Sequence, residues 1–241
     1  LPGRLAALGA DIGVSCAFGY LLPDPVLAAF PLGIINLHFS LLPAYRGAAP
    51  VQRALLDGAE VTGVTTFVID AGMDTGPMLL AAEVPVDPEE DAGALTLRLA
   101  EIGGRLTVET LDALEAGEVE PRPQPAEGAS LAPKVTAEEA RLDLAWPAGQ
   151  LADAVRAFTP APGAWTTHRG RRLKVTRAAP VEWAADLGPG RLAVGPEGRL
   201  LVGTGDGALE LVEVRPEGRR AMSGAEFARG ARLGPDEWLG R

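Results

Sequence analysis

Three side chains dominate the chemistry open to this chain. Asn36 and His38 close the apolar run Ile35-Asn36-Leu37-His38-Phe39, and Asp74 sits in the later run Ile69-Asp70-Ala71-Gly72-Met73-Asp74-Thr75-Gly76. The chain has only two histidines, His38 and His168. An amide N–H can donate to a carbonyl oxygen that turns negative in a tetrahedral intermediate, and losing one such donor costs about 3–4 kcal/mol of barrier. An imidazole can move a proton or, once protonated, help to hold the oxyanion. A carboxylate can orient that imidazole, raise its pKa and relay a proton through water. No serine or cysteine pairs with His38 in a recognisable motif, and Cys16, inside the apolar run Ile12 to Phe18, is expected to be a packed core residue. The set suits acyl transfer by direct attack of a substrate amine, without a covalent enzyme intermediate. Structural roles stay open beside it: His38 as a satisfied core histidine, Asp74 as an Asx-turn former.

The elements that must position these groups are legible. Residues 31–39 form a short apolar segment bounded by turn residues, which predicts a buried parallel strand. Side chains alternate along a strand, so Asn36 and His38 share a face. They fall at its C-terminal end, where ligands bind in open α/β sheets. Residues 63–70 are β-branched and strand-like, and they too end in a loop, the one carrying Asp74. Two neighbouring strand ends are expected to bring Asp74 to His38.

The ordered set Asn36-x-His38, Ser40-Leu41-Leu42-Pro43 with Arg46-Gly47, and Asp70 to Gly76 resembles the 10-formyltetrahydrofolate-dependent formyltransferases. Asn-x-His alone is a weak signal; the whole set in this order is specific. Arg46 to Arg53, Phe158 to Trp165, and Pro216 to Ser223 followed by Glu226 to Gly230 look most like the branch of that family acting on initiator methionyl-tRNA. The likeness runs from about Leu5 to Leu233. It implies an α/β fold, the C-terminal half of a Rossmann-like formyltransferase domain followed by a small OB-like β-barrel. It implies transfer of the formyl group of 10-formyltetrahydrofolate, as cosubstrate, to the methionyl group of initiator tRNA, releasing tetrahydrofolate. Asn36, His38 and Asp74 would be catalytic, and Ser40, Leu41, Leu42 and Pro43 would line the folate site. A formyltransferase acting on an amino-sugar nucleotide, a formyltetrahydrofolate hydrolase and an inactive RNA-binding fragment are the rivals. One departure is large. The chain starts at Leu1, at what looks like the helix before the family's fourth strand, so the opening half of the domain and its loop contacting the tRNA acceptor stem are not in this sequence. The expectation is a fragment whose central strand, Ile12 to Phe18, has a bare edge, and which is poorly soluble or partly unfolded in isolation.

Composition adds bounds. With 241 residues and 47% hydrophobic residues, one large or two modest domains can form. One cysteine allows no internal disulfide and suits a reducing cytoplasm. No apolar stretch is long enough to span a bilayer, and no zinc-like Cys/His spacing or Walker loop is present, so neither membrane nor metal is expected. Prolines at 121, 123 and 125 mark an extended linker. The expected division is a catalytic domain over 1–116, a Pro-rich linker over 117–136 and an OB-like, tRNA-binding domain over 137–241, in a monomer. Ala94 to Ala116 reads as an amphipathic helix, a short helix starts near Gly149, and short strands separated by Gly/Pro turns follow. Ser223 and Glu226 make a capping box for a last helix.

The net charge of −10 runs against an RNA partner. Its distribution answers this in part. Residues 150–241 hold 14 Lys and Arg against 11 Asp and Glu, a net of +3, which leaves −13 for the rest. Arg169, Arg171, Arg172 and Lys174, with Lys134 near the linker, are the candidate contacts to RNA phosphates. A solvated hairpin is the plain alternative. Trp165 is expected in the core, and burial is the expected state of most of the other tryptophans.

Overall fold

Alternating runs of β-branched and turn residues build a four-stranded sheet in the first half of the chain. The computed structural model describes residues 1–183, 187–234 and 236–241. These group into two compact units: Leu1–Ala54 with Ala59–Pro88 and Ala94–Lys134, and Leu55–Gly58 with Glu89–Gly93 and Val135–Arg241.

The elements of the first half are α1 (Pro2–Ala6), β1 (Gly13–Cys16), α2 (Asp24–Leu27), β2 (Ile34–His38), α3 (Pro50–Leu56), β3 (Val61–Val68), β4 (Met78–Pro85) and α4 (Ala92–Glu115). The sheet order is β1-β2-β3-β4. β1 lies parallel to β2, and β3 is antiparallel to both β2 and β4. Ile35, Val64, Phe67, Leu95 and Leu99 are fully buried, and Leu95 and Leu99 lie on the apolar face expected on α4. α4 approaches β2 closely because position 103 is glycine: a Cβ there would come within 2.6 Å of Leu37. Thr66 of β3 and Thr110 of α4 satisfy each other's buried hydroxyls at 2.8 Å.

The run Ile12 to Phe18 supplies the edge strand of this sheet, the bare edge expected of it, and Val14 and Phe18 are more than half exposed. The expectation that changes is the core position of Cys16, which is exposed because the strand has no partner on its outer side among the described residues. The proline-rich segment is extended as expected, yet it is bonded along the first unit. Met78 and Arg122 exchange backbone hydrogen bonds, Ala132 N–H donates to Arg46 O, and Arg46 N–H donates to Ser130 O. Extended backbone leaves its N–H and C=O groups unpaired within the segment, and these bonds satisfy them.

The second unit holds α5 (Ala148–Phe158), β5 (Trp165–His168), β6 (Arg171–Val181), β7 (Leu192–Val194), β8 (Leu200–Gly203), β9 (Ala208–Pro216), β10 (Met222–Ser223) and α6 (Gly224–Ala231). Its strands pair antiparallel in the order β5-β6-β9-β8-β7, with β10 on β9. Leu151, Val155 and Phe158, at helical spacing on α5, pack in one core with Leu173, Val175, Leu209, Leu211 and Phe227. Each such fully buried side chain contributes on the order of 2 kcal/mol of transfer free energy. The capping box forms as its residues predict: Ser223 Oγ accepts from Glu226 N–H at 3.2 Å, and Ser223 N–H donates to the Glu226 carboxylate at 2.9 Å. No helix among the described residues is long and apolar enough to cross a membrane.

Candidate active site

Strand alternation puts Asn36 and His38 on one face of β2, and both line a cavity of about 450 Å³ in the first unit. Asp74 lines it too, together with apolar side chains that include Phe18, Leu21 and Met73. The route taken by Asp74 differs from the expected one. β3 runs antiparallel to β2, so its C-terminal end lies beside Ile35 and not beside His38. The loop after Ile69 carries the carboxylate back. Thr75 Oγ1 donates to Asp70 at 2.8 Å, and Gly72 N–H donates to it at 2.9 Å, folding that loop on itself.

His38 is 5% exposed. Its Nε2 lies 2.8 Å from the Tyr45 carbonyl oxygen. A carbonyl can only accept, so Nε2 carries the proton, and a neutral ring presents a bare Nδ1. That Nδ1 is 3.7 Å from Asp74 Oδ2. Burial pushes the His38 pKa below its ordinary 6.5; the Asp74 charge and the Tyr45 hydrogen bond pull the other way but lose. The resting imidazole is therefore neutral at pH 7. The expectation that Asp74 raises the pKa holds for the direction of its own effect, while desolvation decides the sign of the total.

Asp74 is fixed from two directions. Its Oδ2 accepts the Gly47 N–H at 2.8 Å. Gly47 has φ +126°, and a Cβ would meet the Ala132 carbonyl oxygen at 2.7 Å, so this position requires glycine. Tyr45 and Asp74 themselves have φ of +59° and +54°. Non-glycine residues held there mark a site where the surroundings over-determine the backbone. Gln124 supplies part of this. Its Oε1 accepts from Arg46 Nε at 2.9 Å and Nη2 at 2.6 Å, and its Nε2 donates to Asp74 O and Gly76 O, both at 2.8 Å. Sequence reasoning, which places Gln124 in a linker, misses it. The signal available is its place between Pro123 and Pro125, where the backbone is held extended and only the side chain is free to bond.

Ser40, Leu41, Leu42 and Pro43 are not among the residues lining this cavity. Ser40 and Leu42 are buried. Ser40 Oγ donates to Ala44 O at 2.6 Å, and Thr65 Oγ1 donates to Ser40 O at 2.7 Å while accepting from Leu42 N–H at 3.2 Å. These bonds shape the turn that brings Tyr45 and Gly47 back over His38 and Asp74. The side-chain amide of Asn36 makes no hydrogen bond to the described residues and remains available to a ligand oxygen.

In the second unit, a cleft of about 250 Å³ is lined by Arg169, Arg171, Arg172 and Arg219, with Glu217 and Phe227. Arg169 pairs with Glu237, whose carboxyl it holds below the usual range. His168 Nε2 lies 3.2 Å from the same carboxylate. Arg172 stacks 4.0 Å over the Trp165 ring, which is half-buried and not fully in the core as expected. Trp146 is exposed. Lys174 Nζ donates to Pro162 O at 3.1 Å, and Arg171 forms no ion pair among the described residues. Arg219 is a basic residue that the sequence did not single out. Lys134 is exposed and belongs to the first unit.

Comparison with known proteins agrees with this organisation. The formyl transferase family model matches residues 1–111, and the model for the formyl transferase C-terminal domain matches residues 134–232. The methionyl-tRNA formyltransferase of Streptomyces coelicolor is 48% identical over 98% of this chain and 76% of that protein. Among solved structures, HypX from Aquifex aeolicus in complex with tetrahydrofolic acid aligns at a TM-score of 0.70 and 21% identity, covering 95% of this chain and 40% of that one. The methionyl-tRNA formyltransferase of Clostridium thermocellum aligns at 0.61 and 17%, covering 74% of this chain and 76% of that one. With both of its models matched in order and a relative this similar along nearly the whole length, the chain belongs to the formyl transferase family.

Proposed function

We propose that this chain transfers the formyl group of 10-formyltetrahydrofolate to the α-amine of methionine esterified to initiator tRNA, for translation initiation. The observation that carries this reading is the convergence of Asn36, His38 and Asp74 on one cavity of about 450 Å³, in a chain 48% identical to a methionyl-tRNA formyltransferase. A cavity of this size with apolar walls and a few convergent polar groups suits a drug-sized ring system such as a folate.

The chemistry follows from the residues. The neutral amine nitrogen attacks the formyl carbon, a C–N bond forms, and the carbonyl electron pair moves to oxygen. The Asn36 amide donates to that oxyanion. His38 Nδ1, bare at rest, takes the proton released by the attacking nitrogen, and Asp74 Oδ2 at 3.7 Å stabilises the imidazolium so formed. The imidazolium then faces the oxyanion as a second positive partner. Its proton passes to folate N10 as the C–N10 bond breaks, giving tetrahydrofolate and the formylated amine. The scheme needs no metal. Protonated His38 is thus a species of the reaction cycle and not the resting state.

We read the first unit as the catalytic, Rossmann-like part and the second as the OB-like part that holds the tRNA, through Arg169, Arg171, Arg172 and Lys174, with Lys134 contributing from the connecting segment. The working form is a cytoplasmic monomer. The test is formyl transfer from 10-formyltetrahydrofolate by the full-length protein to charged initiator tRNA, with an amino-sugar nucleotide and water as competing acceptors. Transfer to the tRNA alone is expected. Transfer only to the amino-sugar nucleotide, or hydrolysis alone, would overturn the reading.

A further inference from the structure

Three polar groups of the first unit meet at Gln124, a residue outside the cavity lining. Its amide uses its full hydrogen-bonding capacity: Oε1 accepts twice from the Arg46 guanidinium, and Nε2 donates to the carbonyls of Asp74 and Gly76. Arg46 can only donate and the two carbonyls can only accept, so the orientation of the amide is fixed by its partners. The elements it joins are the two that hold the catalytic side chains. Tyr45 and Gly47, on either side of Arg46, bond His38 Nε2 and Asp74 Oδ2. The backbone it grips on the other side is that of Asp74 itself, at φ +54°. A left-handed aspartate costs on the order of 1–3 kcal/mol and persists only where the surroundings hold it. Gly47 N–H holds the carboxylate end, and Gln124 holds the backbone end.

We propose that Gln124 is a positioning residue for catalysis: by tying the Arg46 segment to the Asp74–Gly76 backbone, it sets where the Asp74 carboxylate stands relative to His38. This rests on the formyl-transfer reading above. The residue touches no reacting atom and acts through Asp74.

The experiment compares steady-state transfer by the full-length wild type with Gln124→Met, which keeps length without donors or acceptors, and Gln124→Glu, which keeps an acceptor for Arg46 but has no N–H for the two carbonyls. Both are assayed at a temperature well below their melting points. The expected result is a fall of about 10²-fold in kcat for each variant, with KM for folate and tRNA little changed, because a displacement of order 1 Å costs that much. In an Asp74→Ala background, Gln124→Met should produce no further fall, since the residue works through a carboxylate no longer there. Wild-type kcat in folded Gln124→Met, wild-type kcat in Gln124→Glu, or an undiminished fall in the Asp74→Ala background would each overturn the inference while leaving the functional reading in place. A wild type that transfers no formyl group would overturn both.

Discussion

The two units handle charge in opposite ways. In the first, the working groups are few, enclosed and each tied to backbone: His38 to the Tyr45 carbonyl, Asp74 to the Gly47 N–H. In the second, the cations are many and open to solvent, and the ties they have are to a carboxylate, as for Arg169 and Glu237, or to an aromatic face, as for Arg172 and Trp165. An enclosed pair can have its proton affinity set by desolvation, which suits a group that must move a proton. An open cluster is screened by salt and tolerates imprecise placement, which suits recognition of a phosphate backbone. The difference predicts that substitutions in the first unit act on rate, and substitutions in the second act on affinity.

The largest effects test the first half of that statement. Asn36→Ala should lower kcat by about 10²–10³-fold, the usual loss of an oxyanion donor, and Asp74→Ala should also lower it by orders of magnitude. Both should leave tRNA affinity measured by filter binding unchanged. A variant with near-normal turnover would remove that residue from the mechanism. Next in size is charge reversal at Arg171 and Arg172. The pair should weaken tRNA binding and reduce the slope of log affinity against log salt by about one for each phosphate that is no longer neutralised, with the rate at saturating tRNA unaltered. An unchanged slope would return this cluster to a solvated hairpin.

Smaller effects sharpen the contrast. Ser223→Ala removes the capping box of α6 and should cost about 1 kcal/mol of stability by denaturant melting, with no change in the chemical step. Smallest is a shift in one titration. NMR titration of the His38 ring should give a midpoint below 6.5, and lower still in Asp74→Asn, where the neighbouring charge that favours the imidazolium is gone. The linkage to stability has a definite sign. As pH falls through 6.5 the unfolded chain takes up this proton before the folded one, so the His38 contribution is complete above 6.5 and is lost between there and the folded pKa. A midpoint above 6.5 would mean that the Asp74 charge and the Tyr45 hydrogen bond outweigh burial.

Much of this arrangement could be read from residue order alone. The strand alternation that puts Asn36 and His38 on one face is a local property, as are the α4 stripe of Leu95 and Leu99 and the Ser223–Glu226 capping box. What could not be read is non-local. The direction of β3 against β2 depends on pairing, so the expected path of Asp74 to His38 is wrong in route though right in destination. Cys16 lies on the open edge of the sheet because of the strand order, which its apolar neighbours do not encode. Gln124 bonds partners 48 to 78 residues away, and nothing around it in sequence names them. The turn from Ser40 to Pro43 is bonded through Thr65 of β3, at Ser40 O and Leu42 N–H, and the motif around Ser40 does not name that partner.

The role of His38 is decided by single-turnover formyl transfer from 10-formyltetrahydrofolate to charged initiator tRNA, comparing the wild type with His38→Ala and with His168→Ala. The second histidine is buried beside Glu237 in the other unit and serves as the control for losing an imidazole as such. His38→Ala is expected to lose transfer by orders of magnitude while His168→Ala keeps its chemical rate. Transfer by His38→Ala at a near wild-type rate would contradict that role.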